Sequence, residues 1–445
     1  MIVSSKFVTI PHSCQDYVHP WTNSCAAAST GLLFASIPEA LRIYITAYTL
    51  ALLMRGKFPS KKDVKRTILG ILQSSAFLAC HAFGYSVVLC LLRRILGHFN
   101  FLSVSFLPSF LSSILAILVE RPSRRSLLSL YVTNVASETL YHMAVWRGLI
   151  RPINYGEVFI FSASMSFLLY FFRNQQSSSV KDSIFSLLRF VVGRHEEITD
   201  DKSEASPVSD RSDEENLFLS TSVLHFQNWL KLQSLNPCCP HPFGCVYYVI
   251  QGFTKLFAVG YGLQLSLKIL IHFKRILKQP KMLPKIMLRT DTLKLGAFLG
   301  GFSTLYRVVS CFLRKLYGRD DQNFAIPAGF LAGLSFFFYR DNTIALYVMW
   351  KTFQILYNHG VERKMLPELP QASIFFHCFS TAILFHAALL EPQNLRPSYW
   401  RFLQGMSGER ILRMERTCLD AFGLETSKNF QLVVNRTKSK VRTML

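Results

Sequence analysis

"AFLACHAFGYSVVLCLLRRILG", residues 76–97, lies without a gap over "AFLGGFSTLYRVVSCFLRKLYG", residues 297–318, with ten identities in 22 positions. Each stretch is apolar over about the 20 residues that a bilayer core requires. The chain therefore reads as a membrane protein that carries one unit twice. A second pair agrees: "SLYVTNVASETLY" (129–141) over "ALYVMWKTFQILY" (345–357) has five identities in 13, and "HPWTNSC" (19–25) has a partner in "HPFGC" (241–245).

Composition supports this class. Half of the 445 residues are hydrophobic, 38 are Phe, and only 17% are charged, where a soluble domain carries nearer a quarter. Apolar runs at Thr67 to Leu92, Phe101 to Val119, Val158 to Phe172, Cys245 to Leu270 and Ala372 to Leu390 predict an all-α, multi-pass fold of two related repeats with about 8–10 apolar helical segments. The net charge of +22 does not point to nucleic acid, because the bases cluster in short stretches beside apolar runs: "RGKFPSKKDVKR" (55–66), "RPSRR" (121–125) and "KRILKQPKMLPKIMLR" (274–289). Such clusters suit loops held on one membrane face and drawn to anionic lipid. Corresponding loops that are both basic favour parallel repeats, each with four spans and one interfacial segment.

Residues 194–216, "RHEEITDDKSEASPVSDRSDEEN", hold nine of the 27 acids and almost no large apolar side chain; this reads as a disordered acidic linker. The expected organisation is a Cys/His-containing N-terminal segment (1–30), a first repeat (31–193), the linker (194–216), a helix with a Cys-rich segment (217–245), a second repeat (246–403), and an amphipathic C-terminal helix with a basic tail (404–445). The N-terminus lacks the apolar core of a secretory signal.

Small residues recur at four-residue spacing: Gly296 and Gly300, then Ala325, Gly329 and Gly333, with Ser75 and Ala79, then Ser109 and Ser113, in the first half. That spacing puts them on one helix face and lets helices approach closely in lipid. Asn134, Glu138 and Lys351 are polar groups inside apolar stretches, expected at the repeat interface, because a charge there requires a partner or a polar cavity. Glu138 is open to three roles: pairing with Lys351, lining a polar site, or lying in the headgroups on an interfacial helix.

"LRPSYWRFL" (395–403) reads as a membrane-surface ending, with Tyr399 and Trp400 as interfacial aromatics, Arg396 and Arg401 reaching phosphates, and Pro397 stopping the apolar helix. Cys14, His19 and Cys25 in one half, with Cys238, Cys239, His241 and Cys245 in the other, have the ligand types for one zinc ion if the two segments meet. Structural thiols or S-acylation sites are the alternatives. No nucleotide loop, G-x-S-x-G elbow or acidic metal pair occurs, so no enzyme and no cofactor is expected.

"ILVERPSRRSLLSLYVTNVASETLYHMAVWRG" (117–148), "LLRFVVGRHEE" (187–197), "LGAFLGGFSTLYRVVSCFLR" (295–314) and "LRPSYWRFL" together resemble the transmembrane protein 135 family, also called peroxisomal membrane protein of 52 kDa. The glycine-spaced second half is also similar to the mitochondrial Tim17, Tim22 and Tim23 translocases. The first resemblance implies a non-enzymatic, multi-pass protein of peroxisomal and mitochondrial membranes, tied to lipid and cholesterol handling and to mitochondrial fission. Its implied partners are membrane lipids, fatty acids or sterol among them, and fission or organelle-import proteins. A scaffold for such proteins and a translocase-like pore are the alternative functions.

Overall fold

In the computed structural model, residues 8–54, 60–174, 183–196 and 228–437 are described. Helices dominate, in the order α1 (Cys14–Tyr17), α2 (Cys25–Met54), α3 (Lys61–Leu96), α4 (Phe106–Val119), α5 (Pro122–Trp146), α6 (Gly156–Arg173), α7 (Ser183–Val192), α8 (Cys245–Lys278), α9 (Met282–Met287), α10 (Thr290–Tyr317), α11 (Ala325–Gly333), α12 (Asn342–Glu362), α13 (Ala372–Leu390), α14 (Pro397–Met406) and α15 (Thr426–Thr437). Two short strands, β1 (Thr9–Ile10) and β2 (Phe99–Asn100), pair antiparallel.

Local chemistry sets the helix ends. Ser60 caps α3 in a reciprocal box with Asp63, and the helix stops at Gly97, whose φ of 75° is left-handed; a glycine there avoids the Cβ clash of that conformation. α10 stops in the same way at Gly318, with φ of 64°. Arg93 and Arg94 in α3, and Arg314 and Lys315 in α10, occupy the last turns, where positive charge is favoured by the helix dipole.

Five described helices are long and apolar enough to cross a membrane: α3, α6, α8, α10 and α13. The expected four spans in each half are not what is found. α2 is long, but its middle carries Pro38, Glu39 and Arg42, the last two ion-paired at 3.1 Å. α4 has 14 residues, short of a ~30 Å core. Only 11% of the apolar window of α8 is buried, and its Leu263, Leu267 and Leu270 are exposed, an apolar surface suited to lipid. The basic stretches are largely helical: 61–66 opens α3, 122–125 opens α5, and 274–278 closes α8; residues 55–59 lie outside the described set.

The chain forms two compact units, and they are not its two halves. Unit 1 takes residues up to Pro152 together with Leu369 onwards; unit 2 is Ile153–Glu368. In unit 1, α13 packs on α4 and α5, and α2 packs on α3. In unit 2, α6 packs on α11 and α12, while α8 crosses α10. Thus α6, from the first half of the chain, belongs to the second unit, and α13, from the second half, belongs to the first. Both follow a residue with positive φ, Tyr155 at 60° and Gln371 at 62°. The reason is complementary surface: Ser162 on α6 meets Gly333, and Thr133 on α5 bonds Ser380 on α13 at 3.1 Å.

The core of unit 2 is aromatic, with Phe161 stacked on Phe336 at 4.3 Å and Phe298 set edge-on at 5.3 Å. Beside it lies a buried ionic network. Glu196 accepts from Arg314 Nη2 at 2.6 Å and Nη1 at 3.1 Å, and from Tyr248 at 3.2 Å. Asp320 accepts from Arg314 Nε at 2.8 Å and Arg173 Nη2 at 2.5 Å. This corrects the linker boundary. Arg194–Glu196 form a 3-10 turn and Glu196 is buried, because Arg314 and Tyr248 supply the partners that a buried carboxylate demands. The rest of the expected linker, 197–216, lies outside the described residues.

Candidate functional site

The three polar residues expected at a repeat interface do not form one site. Asn134 is buried on α5. Glu138, one turn further, is ion-paired with Arg396 inside unit 1. Lys351 belongs to unit 2 and donates to Gln354 at 2.9 Å. The pairing open to Glu138 is thus with an arginine 258 positions away, which gives the part-buried carboxylate its charge partner.

The small residues lie at helix crossings. A Cβ on Gly296 would stand 2.9 Å from the Phe257 carbonyl, one on Gly300 3.0 Å from the Phe253 ring, one on Gly329 3.0 Å from the Met165 carbonyl, and one on Gly333 2.5 Å from Ser162 Cα. Ala325, Ser75, Ala79, Ser109 and Ser113 are buried, and the Ser113 hydroxyl is 3.1 Å from His81 Nε2.

The interfacial reading of 395–403 requires correction. Trp400 is 0% exposed and Tyr399 is buried; α14 turns them into the core of unit 1, where Trp400 meets Phe430 edge-on. Arg396 serves Glu138 rather than a phosphate, and only Arg401 and Pro397 of this group are exposed. The segment that follows is not one amphipathic helix. It folds as 3-10 turns at Arg410–Leu412 and Thr417–Phe422, then α15. Arg416 is buried between them and donates to the carbonyls of Ala388 and Leu389, both at 2.9 Å. Residues 438–445 lie outside the described set.

Unit 1 holds a partly open cavity of about 390 Å³ between α2, α3, α5, α13, α14 and the Arg410–Leu412 turn. Its walls are apolar, with Leu32, Phe77, Leu128, Phe402 and Met406 among them. The volume falls in the ~300–1,000 Å³ range of small-molecule sites. His81 and His377 line one side, packed against Phe385 and Phe77. The cationic group of the lining is Arg410, positioned by Glu409, whose φ of 64° turns the chain. Among the described residues no carboxylate stands within 4.0 Å of its guanidinium, whose contact is a 3.5 Å bond to the Ser407 carbonyl. Partial burial, with Arg413 nearby, lowers the Arg410 pKa from its ordinary value. Sequence reasoning missed Arg410; the one available signal was a basic residue inside an otherwise apolar-periodic stretch.

The Cys/His residues gather into two sets, one in each unit, rather than one. Cys14, His19 and Cys25 are joined by Cys90; Cys239, His241 and Cys245 are joined by Cys311. In each set the four ligand-type atoms lie within 4.8 Å of one another. Cys238 is left out and points its thiol at the Gly318 carbonyl, 3.2 Å away. All ten cysteines are free thiols. Hydrogen bonding from Cys90 outweighs burial and lowers the Cys14 thiol to about 6, while a bond from Cys311 lowers Cys239 to about 4. Cys90 and Cys311 pass on sequence as small apolar residues of α3 and α10. Yet the ten-identity match places them opposite each other, and that was the signal available.

A chain with five long apolar helices among its described residues is a multi-pass α-helical membrane protein. Residues 11–145 match the family model for the N-terminal cysteine-rich region of Transmembrane protein 135, which supports a likeness to the transmembrane protein 135 family over that part of the chain. That region carries Cys14, His19, Cys25 and Cys90. No solved structure matches the fold.

Proposed function

We propose that this chain is a non-enzymatic protein of peroxisomal and mitochondrial membranes that holds a single-chain lipid acid in the unit 1 cavity. The observation that carries the reading is Arg410: a guanidinium without a carboxylate partner among the described residues, set in the wall of an apolar cavity of about 390 Å³. A long-chain carboxylate satisfies both parts, its tail against Leu32, Phe77 and Phe402 and its head on Arg410 through a charge-assisted bond. A sterol fills the same space but offers no charge for Arg410, so the acid is favoured. The organelles, and the link between lipid handling and mitochondrial fission, rest on the family resemblance.

The test is binding of labelled palmitate and labelled cholesterol to the purified full-length protein in nanodiscs, with Arg410→Gln beside the wild type. A bond to a charged group contributes about 1.5–3 kcal/mol, so palmitate binding should weaken roughly tenfold or more while any cholesterol binding holds. Equal palmitate binding by both proteins, or none by the wild type, removes the lipid site. Recruitment of fission or import proteins is then the better account.

A further inference from the structure

We infer that the two Cys3His sets are a pair of structural zinc sites, one clamping each unit. The donor chemistry is three thiols and one imidazole in each set, the composition of closed, four-coordinate zinc sites. Geometry agrees. Zinc bonds of about 2.3 Å to sulfur and about 2.0–2.1 Å to nitrogen, at tetrahedral angles, put two sulfurs about 3.8 Å apart and a sulfur and a nitrogen about 3.5 Å apart. Cys239 Sγ and Cys245 Sγ are 3.8 Å apart, and His241 Nε2 is 3.4 Å from Cys311 Sγ. In the other set, His19 Nε2 is 3.9 Å from Cys90 Sγ. A sulfur separation of 3.8 Å is far beyond the ~2.05 Å of a disulfide.

Both imidazoles are held in the orientation a metal needs. His19 Nδ1 is 2.8 Å from the Thr22 carbonyl, and His241 Nδ1 is 2.5 Å from the Phe243 carbonyl. A carbonyl accepts but cannot donate, so Nδ1 carries the proton and Nε2 turns its lone pair to the thiols. This is the outer-shell bond by which metal-ligating histidines are fixed. His19 and His241 are both buried. The chain would release the thiol protons as zinc binds, with the imidazole entering neutral.

The two sets also match along the chain. Each draws two cysteines and the histidine from a short segment ending at the first residue of a long helix, Cys25 of α2 or Cys245 of α8. Each takes its last cysteine from the following long helix, Cys90 of α3 or Cys311 of α10. The site thus ties the segment before one helix to the far end of the next. With four protein ligands no position remains for substrate, so the role is structural. The Cys14 set also lines a second cavity, of about 580 Å³, together with Asn23, Arg93 and Arg94.

The test is the zinc content of the full-length protein, purified in detergent without added chelator, measured by plasma mass spectrometry. The wild type should hold two zinc ions per chain, Cys90→Ser one, Cys311→Ser one, and the double variant none, with Cys238→Ser and Cys418→Ser keeping two. Because a serine variant can fail to fold, the wild type is also alkylated with and without chelator. The six ligand cysteines should become labelled only after chelation, whereas Cys238, outside both sets and outside the long apolar helices, labels in both. His19→Cys should retain its zinc, and cobalt exchanged into it should give a stronger thiolate charge-transfer band. A wild-type content below one, or one unchanged by both substitutions, overturns the assignment. So does labelling that ignores the chelator. A content of one, lost with only one of the substitutions, overturns it for the other site.

Discussion

Replacing Arg314 by Gln tests the buried network of unit 2. The guanidinium makes two bonds to Glu196 and one to Asp320, and both Arg314 and Glu196 side chains are 0% exposed. Asp320 keeps Arg173 after the change, but Glu196 is left a buried carboxylate whose remaining donor among the described residues is Tyr248. Breaking such a pair from one side costs about 3–5 kcal/mol. At about 2–4 °C per kcal/mol for a unit of this size, the melting temperature should fall by roughly 6–20 °C. The assay is thermal unfolding of the full-length protein in detergent, followed by tryptophan fluorescence. The double variant Glu196→Gln with Arg314→Gln removes the stranded charge and should recover more than half of the loss. The pH dependence has a definite sign. Burial pushes the Glu196 carboxyl up, but the charge and bonds of Arg314 override it and hold the group below its ordinary value of 4.5. The wild-type contribution is therefore present above pH 4.5 and lost as pH falls through the lower folded value. In Arg314→Gln burial is opposed only by the Tyr248 bond and the Arg173 charge, so the deficit should narrow as pH drops from 7 toward 5. A fall in melting temperature under about 2 °C, or a double variant no better than the single, would refute the reasoning.

Gly333→Ala should destabilise unit 2 by about 1–3 kcal/mol through overpacking, since its Cβ would stand 2.5 Å from Ser162 Cα. By contrast Gly262→Ala, with nothing within 4 Å, should be neutral or stabilising by up to about 1 kcal/mol; the same melting assay separates them. Ala82→Trp projects into the unit 1 cavity and should abolish palmitate binding with little change in melting, and unaltered binding would show that the cavity is not the site. Glu138→Gln should cost about 1–3 kcal/mol by stranding Arg396 yet leave palmitate binding intact, because neither residue lines the cavity; a binding defect would return Glu138 to the lipid site.

Helix existence and the membrane class could be read from periodicity, since the apolar runs at 67–92, 245–270 and 372–390 each lie inside one observed helix. Glycine spacing located the crossings of α8 with α10 and of α6 with α11, because close approach leaves a steric trace in the residue type itself. Pairing across long separations left no such trace. Nothing in composition tells α6 to prefer α11 over α5, or Glu138 to choose Arg396 over Lys351; those choices are decided by which surfaces fit. Trp400 misled for a related reason: an aromatic beside arginines and a proline suits a lipid surface and a buried joint equally well. The Cys/His residues showed the right donor chemistry but the wrong grouping, because Cys90 and Cys311 are hidden in apolar runs, and Arg410 was one base among many.

The exchange of α6 and α13 between units governs how the chain can be made. Residues 25–146 of unit 1 emerge from the ribosome well before α13, which begins at Ala372, and at about 5–20 residues per second that interval is roughly 10–45 s. During it, the faces of α4 and α5 that α13 will cover stand open. The Glu138 carboxylate waits equally long for Arg396. Insertion machinery or a lipid must shelter these surfaces, and a stop codon placed after α6 would release a half that carries the other unit's helix and lacks its own. Two half-chains supplied together, by contrast, hold every surface the fold requires and should complement one another.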